Sequence, residues 1–232
     1  MTSPYSVVIA GASSGFGAAL AHDLAATGHQ VVAGARRPRP DALRMRYVPV
    51  DLTDGEATAR FAQGATEHLG QVDGLVYCAA DPGAVGRAWQ LDADTFARVL
   101  NVSLLGFVRL AGHLVPHMQQ AGGGSIIAVG SQAARTPVDL LAAYGAAKAA
   151  LEQYARCLAE ELSGTGIRVN TLGIAAETEL AATHRAAKAA LRGRPSPHPP
   201  LPAVADSLPL ARWLLSTEAR HVTGQTLEAR RP

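Results

Sequence analysis

The sequence predicts one α/β domain, a doubly wound parallel β-sheet of about seven strands with helices on both faces. Three observations carry this reading. Short apolar runs alternate with longer segments of helical period, the pattern of a parallel sheet flanked by crossover helices. Most of the runs are apolar on both faces, as strands covered on two sides require. A glycine-rich turn also stands between the first run and the first helical segment, residues 11–17.

The runs lie at residues 5–10, 30–34, 46–50, 73–78, 125–129 and 167–172, with 226–228 as a weaker last strand. Between them, Phe16, Leu20 and Leu24 share one helix face, and Gly28 closes that helix where a left-handed cap is wanted. Leu104, Val108 and Val115 give a second apolar stripe, and Leu151, Tyr154, Leu158 and Leu162 a third. No internal repeat is present. One break in composition occurs at residues 194–209, where Pro195, Pro197, Pro199, Pro200, Pro202 and Pro209 crowd together. Proline lacks the N–H that a helix interior or central strand needs, so this stretch is irregular. A helix-compatible stretch, 210–215, follows it, and the segment reads as an excursion within the domain.

Composition narrows the partners. At 232 residues and 48% hydrophobic, the chain can bury one substantial core. Its 21 basic and 19 acidic residues leave a charge of +2, which gives no electrostatic footprint for nucleic acid or an anionic membrane. No run approaches the roughly 18 apolar residues of a spanning helix, and Met1-Thr2-Ser3-Pro4 lacks the basic start of a secretory signal. Two cysteines, Cys78 and Cys157, are too few for a disulfide framework and fit a reducing compartment. A cytoplasmic protein is expected.

Gly11-Ala12-Ser13-Ser14-Gly15-Phe16-Gly17 directly follows the first strand and opens the first helix. Such a turn presents free backbone N–H groups and the positive helix end to a pyrophosphate, while glycine permits close approach. About twenty residues on, Ala33-Gly34-Ala35-Arg36-Arg37 holds no acid to bind a ribose 2′-hydroxyl. A 2′-phosphate would be repelled by a carboxylate and welcomed by a guanidinium. Arg36 and Arg37 therefore favour NADP(H) over NAD(H), the other reading being two solvated loop arginines. Further along, Tyr144 and Lys148 stand four apart on a long helix, which puts phenol and ammonium on one face. A nearby cation should lower the phenol pKa and suit it to acid–base work.

The glycine spacing G-x-x-x-G-x-G together with Tyr-x-x-x-Lys resembles the short-chain dehydrogenase/reductase family, and the likeness covers nearly the whole chain. It implies a Rossmann-type fold and hydride transfer between a nicotinamide cofactor and a carbonyl or secondary alcohol, most simply as a ketoreductase. By the same resemblance Tyr144 is the acid–base group, and Lys148 tunes it and holds the nicotinamide ribose. Ser131, 13 positions before Tyr144, would polarise the substrate oxygen. Asn101 would hold a water in a proton relay to the lysine. Asp51 and Leu52 match the adenine-contacting pair, although Asp51 alone could equally be a helix cap. Ala79 and Ile174 fall at further cofactor-lining positions. No metal is needed; His113 and His117 read as a surface pair.

Three places depart from the family pattern. Tyr77-Cys78-Ala79-Ala80 stands where the family has Asn-Asn-Ala-Gly, with Cys78 read as a small core residue rather than a cofactor neighbour and Asp81-Pro82-Gly83 supplying a different turn. Asn170-Thr171-Leu172-Gly173-Ile174-Ala175 replaces Asn-x-x-x-Pro-Gly, and the usual carboxamide threonine is displaced to Thr178 or missing. The C-terminus, residues 227–232, lacks the double glycine.

Substrate specificity is expected in a lid at about residues 175–205. Residues 180–205 contain no acid but carry His184, Arg185, Lys188, Arg192, Arg194 and His198. If 181–192 is helical, His184, Lys188 and Arg192 form one stripe. One reading is a clamp for an anionic handle such as a carrier-bound phosphopantetheine, coenzyme A or a carboxylate; the simpler one is a solvated lid. Rival functions are a dehydratase, epimerase or isomerase that reuses Tyr144, and a non-catalytic NADP(H)-binding sensor or scaffold. Small residues on the helices around 104–115 and 151–162 suggest a homo-oligomer, a dimer or more simply a tetramer.

Overall fold

The computed structural model describes residues 4–37, 44–195 and 201–229. Seven strands form one parallel sheet: β1 (Ser6–Ala10), β2 (Gln30–Ala35), β3 (Met45–Pro49), β4 (Gly74–Tyr77), β5 (Gly124–Gly130), β6 (Ile167–Ile174) and β7 (Thr226–Ala229). Their spatial order is β3-β2-β1-β4-β5-β6-β7. The order reverses between β1 and β4, and loops leaving the carboxyl ends of these two strands diverge to open a crevice there. The expected strands are all present, with ends displaced by one or two residues.

The strand side chains explain the two-faced cover. On one face Val8, Val32, Leu75, Tyr77, Ile126 and Val169 meet α2 (Gly55–Leu69), α4 (Gly106–Gln120) and α5 (Ala142–Glu161). On the other, Val7, Ile9, Val31, Ala33, Val76 and Ile127 meet α1 (Gly15–Ala26) and α7 (Leu208–Leu215). Alternate residues of one strand thus enter opposite cores, so both sets must be apolar. Arg212 of α7 pairs with Asp23 of α1 at 2.8 Å and ties the second layer together.

Two expectations are corrected. The buried face of α4 is Phe107, Leu110, Leu114 and Met118, whereas the expected stripe of Leu104, Val108 and Val115 is only half-buried. The reason is a π-helical stretch, Asn101–Leu105, between α3 (Ala93–Leu100) and α4, which rotates the helix face by inserting residues out of α-helical phase. The path Ala93–Gln120 is also long and apolar enough to cross a membrane by length and composition, contrary to the expectation that no run is. Its apolar face lies against the sheet.

The proline-rich segment contains a short helical turn, Val204–Ser207, and α7 admits Pro209 in its first turn, where no N–H bond is lost. Pro197, Pro199, Pro200 and His198 lie outside the described residues, as do residues 230–232 of the C-terminal run.

Candidate active site

The crevice at the switch point is a cleft of ≈ 510 Å³ lined by the glycine turn, the ends of β2 and β4, the Ser131 loop, α5 and the residues after β6. The turn is built for close approach. Gly11 has φ +86°, and its N–H donates to Gly34 O at 2.8 Å. A Cβ on Gly11 would lie 2.4 Å from Ala79 N, and one on Gly17 would lie 2.4 Å from Gly11 O. Ser14, the residue before α1, makes no side-chain cap, so the N–H groups of the first turn face the cleft uncapped. Gly11, Ser13, Ser14, Gly15, Phe16 and Gly17 all line it, as the sequence predicts. This cradle of open amides at a helix N-terminus fits a dinucleotide pyrophosphate.

Arg36 and Arg37 are exposed at the cleft rim. Asp51 and Leu52 line the cleft beside them, just past β3, whose end bonds to that of β2 through Val50 N and Ala35 O. Asp51 accepts from Thr53 N at 2.9 Å and Thr53 Oγ1 at 2.7 Å, and these bonds hold its carboxyl below the ordinary range. It is not the cap of α2: Asp54 is, accepting from Ala57 N at 3.0 Å. Ala79 and Ile174 line the cleft as expected. Cys78 does too, so it is a cleft residue that also packs on the core. Burial pushes its thiol up to about 12, which keeps it protonated and poorly nucleophilic.

Tyr144 and Lys148 both lie on the buried face of α5, one turn apart, with Ser131 opposite. Ser131 and Tyr144 both line the cleft, close enough for the Ser131 side chain to act on the phenol. Lys148, 2% exposed, donates from Nζ to Val129 O at 2.7 Å, and Nζ lies 6.0 Å from the Tyr144 ring centroid. Burial pushes the ammonium down to about 8, opposed by the neighbouring Cys78 and Glu152 side chains. The expected acidification of Tyr144 by Lys148 is not seen. Burial raises the phenol pKa, and the Ser131 side chain only partly offsets it. A protonated phenol is the form that can give a proton.

Asn101 sits at the start of the π-helical stretch and does not line the cleft. Its Oδ1 is buried without a hydrogen bond from the described residues. A buried amide oxygen ordinarily has a donor, and this one is chemically suited to a bound water.

The segment that departs from the family pattern after β4 is held by contacts that the sequence did not reveal. Tyr77 Oη donates to Val102 O at 2.5 Å and so joins β4 to the π-helical stretch. This is a polar link at the position where the family pattern has asparagine. Gly106 makes the space, since a Cβ there would lie 2.3 Å from Tyr77 Oη. Asp81 closes the following turn, accepting from Gly83 N at 2.8 Å and pairing with Arg98.

The lid helix α6 (Glu179–Arg192) covers the stretch expected to be helical. Thr178 caps it, accepting from Ala181 N at 3.1 Å, and its Cβ lies 3.6 Å from the Cβ position of Gly15. The displaced threonine thus stands over the glycine turn. His184 does not point to solvent with its stripe. Its ring meets the Tyr144 ring edge-on at 5.0 Å, and Nε2 lies 2.6 Å from Pro82 O. Two of the lid's arginines are engaged: Arg185 pairs with Glu177, and Arg192 with Asp139. Glu177 lies just before the acid-free segment and Asp139 far upstream of it, a pairing that one-dimensional reading could not see.

This fold and cleft are those of oxidoreductases that work with a nicotinamide dinucleotide. The chain belongs to the short-chain dehydrogenase/reductase family, whose model, described as short chain dehydrogenase, matches residues 5–189. It is 33% identical to the cis-4-hydroxycyclohexanecarboxylate dehydrogenase of Sinomonas cyclohexanicum, over 71% of this chain and 70% of that one. It is 29% identical to the 3-oxoacyl-(acyl-carrier-protein) reductase MabA of Mycobacterium tuberculosis, over 96% and 90%. The 3-ketoacyl-(acyl-carrier-protein) reductase of Brucella melitensis, solved with NADH, superposes with a TM-score of 0.87 at 27% identity, covering 98% of this chain and 96% of the other.

Proposed function

We propose that the protein is an NADP(H)-dependent ketoreductase that works in the direction of carbonyl reduction. The observation that carries this is the convergence of Ser131, Tyr144 and a buried Lys148 on one cleft beside the glycine turn. Bound nicotinamide would supply the hydride. The chain's own residues do the rest. Ser131 donates toward the carbonyl oxygen as charge develops there. Tyr144, held protonated by burial, gives its proton to that oxygen. Lys148 stabilises the phenolate left behind and would hold the nicotinamide ribose hydroxyls. Asn101, with its unmatched buried oxygen, would hold the water that returns a proton.

Arg36 and Arg37 at the rim, with no acid at the end of β2, support NADP(H) over NAD(H). The lid spans about residues 175–205. With Arg185 and Arg192 paired internally, an uncharged carbonyl substrate is the simpler occupant than an anionic handle. The exposed Leu105 just before α4 and Gly112 on it, beside half-buried Val108, support a homo-oligomer through that helix.

The test is loss of NADPH absorbance with a panel of ketones and β-keto esters. Tyr144→Phe should lower kcat by about 10²–10⁴-fold, the usual contribution of a general acid. Arg36→Ala should weaken NADPH at least about tenfold while leaving NADH alone, as loss of a charge-assisted phosphate contact implies. Product formed without net NADPH consumption would instead favour a dehydratase or isomerase.

A further inference from the structure

Glu152 is the ionisable group that the proposed chemistry leaves unused. It stands one turn beyond Lys148 on α5, is 2% exposed, and lies on the face that carries the catalytic pair. A carboxylate there must be compensated or it would not stay ionised. Arg135, four residues past Ser131, supplies the compensation. Its Nη1 donates to Glu152 Oε1 at 2.7 Å and Oε2 at 2.8 Å, and its Nη2 bonds Glu228 on the edge strand β7.

The surrounding backbone is shaped for this group. Gly130 and Gly173 pair across β5 and β6, and Gly173 pairs with Glu228 across β6 and β7. A Cβ on Gly130 would stand 2.7 Å from Glu152 Oε1. A Cβ on Gly173 would stand 3.1 Å from Glu228 Cγ and 3.3 Å from Arg135 Nη2. Two glycines at the strand ends thus make the space in which two carboxylates share one guanidinium. With both acids ionised, the three side chains together carry one negative charge. It lies one helical turn from an ammonium that has lost its water.

We propose that Glu152, held by Arg135 and through it by Glu228, is a positioning residue that keeps Lys148 charged and aimed at Val129 O. The inference rests on the catalytic reading of Tyr144 and Lys148 above. The other ionisable groups facing Lys148 are Cys78 at the end of β4, which burial keeps a neutral thiol, and Tyr144 on α5, which burial keeps a neutral phenol. The anionic triad is therefore the fixed charge that offsets the desolvation of the ammonium. Arg135 has a second effect. It anchors the loop that bears Ser131 to the helix that bears Tyr144, fixing the two hydroxyls relative to each other.

The experiment compares wild type, Glu152→Gln, Glu228→Gln and Glu228→Asp. Two curves are recorded against pH: the NADPH Kd, from quenching of protein fluorescence, and kcat/KM for ethyl acetoacetate with NADPH. Loss of the Lys148 proton should appear as an alkaline break in both. Without the neighbouring charge the ammonium deprotonates earlier, so Glu152→Gln should move both breaks down by about one pH unit. Glu228→Gln should move them the same way by less, and Glu228→Asp, which keeps the charge, should retain the wild-type break. Glu228 is partly exposed, so its variants carry the test if Glu152→Gln fails to fold by circular dichroism. Folded Gln variants whose breaks coincide with wild type would overturn the proposal. If the Kd break moves as expected but wild type reduces no carbonyl, the positioning role stands and the ketoreductase reading fails.

Discussion

Gly11→Ala tests the glycine turn most directly, because the structure separates two sources of damage. The first is conformational. Gly11 sits at φ +86°, where an L-residue costs about 1–2 kcal/mol. The second is steric. The new Cβ would lie 2.4 Å from Ala79 N, 2.6 Å from Ala79 Cα and 2.8 Å from Cys78 C. All three are backbone atoms that cannot rotate away, so the ends of β1 and β4 must part, at a cost of about 1–3 kcal/mol. The sum is about 2–5 kcal/mol, which for a chain of this size lowers Tm by on the order of 10 °C. Gly28→Ala is the control. Gly28 has φ +98° but nothing within 4 Å of its Cβ position, so only the conformational part remains, about 1–2 kcal/mol. Scanning calorimetry of the two variants reads the difference, and fluorescence titration should show NADPH binding weakened at least about tenfold in Gly11→Ala alone. A Gly11→Ala protein that melts no lower than Gly28→Ala would refute the claim that turn and β4 are packed to contact.

Other outcomes follow from single contacts. Tyr77→Phe removes the bond to Val102 O and with it the link from β4 to the π-helical stretch. Denaturant unfolding should show a loss of about 1–3 kcal/mol with little change in m-value. The lid should loosen in acid. Burial chiefly, with the nearby Lys188 charge, holds the His184 pKa below its ordinary value near 6.5, while the Pro82 bond opposes. The unfolded chain therefore binds the proton more readily, and the stability His184 confers is present above about 6.5 and lost as pH falls through the lower folded value. The Tm difference between wild type and His184→Gln should shrink on acidification, and a constant difference from pH 8 to about 5 would contradict it.

The order of strands and helices, the glycine turn and the Tyr144–Lys148 pair were legible because each is a local pattern. Apolar runs on a period, a turn that only glycine permits and an i,i+4 pair are all written in neighbouring residues. The face of α4 was misread for the same reason. Its phase is set by the π-helical stretch at Asn101–Leu105, and no nearby residue type announces one. Departures from the family pattern were visible, but the contacts around them were not. Tyr77 makes its link only because Gly106, 29 positions away, leaves room for its hydroxyl.

Sequence alone determined the fold class, the glycine turn after the first strand and the Tyr144–Lys148 spacing, since these depend on the chemistry of short segments. Tertiary structure alone decided what surrounds those side chains. It buried Tyr144 deeply enough to raise a pKa that spacing had suggested would fall. It turned His184 inward onto the phenol, paired two lid arginines with acids from outside their segment, and brought Arg135, Glu152 and Glu228 together from a loop, a helix and an edge strand. Charge and solvation depend on distances in space, and the order of residues fixes those only after the chain has folded.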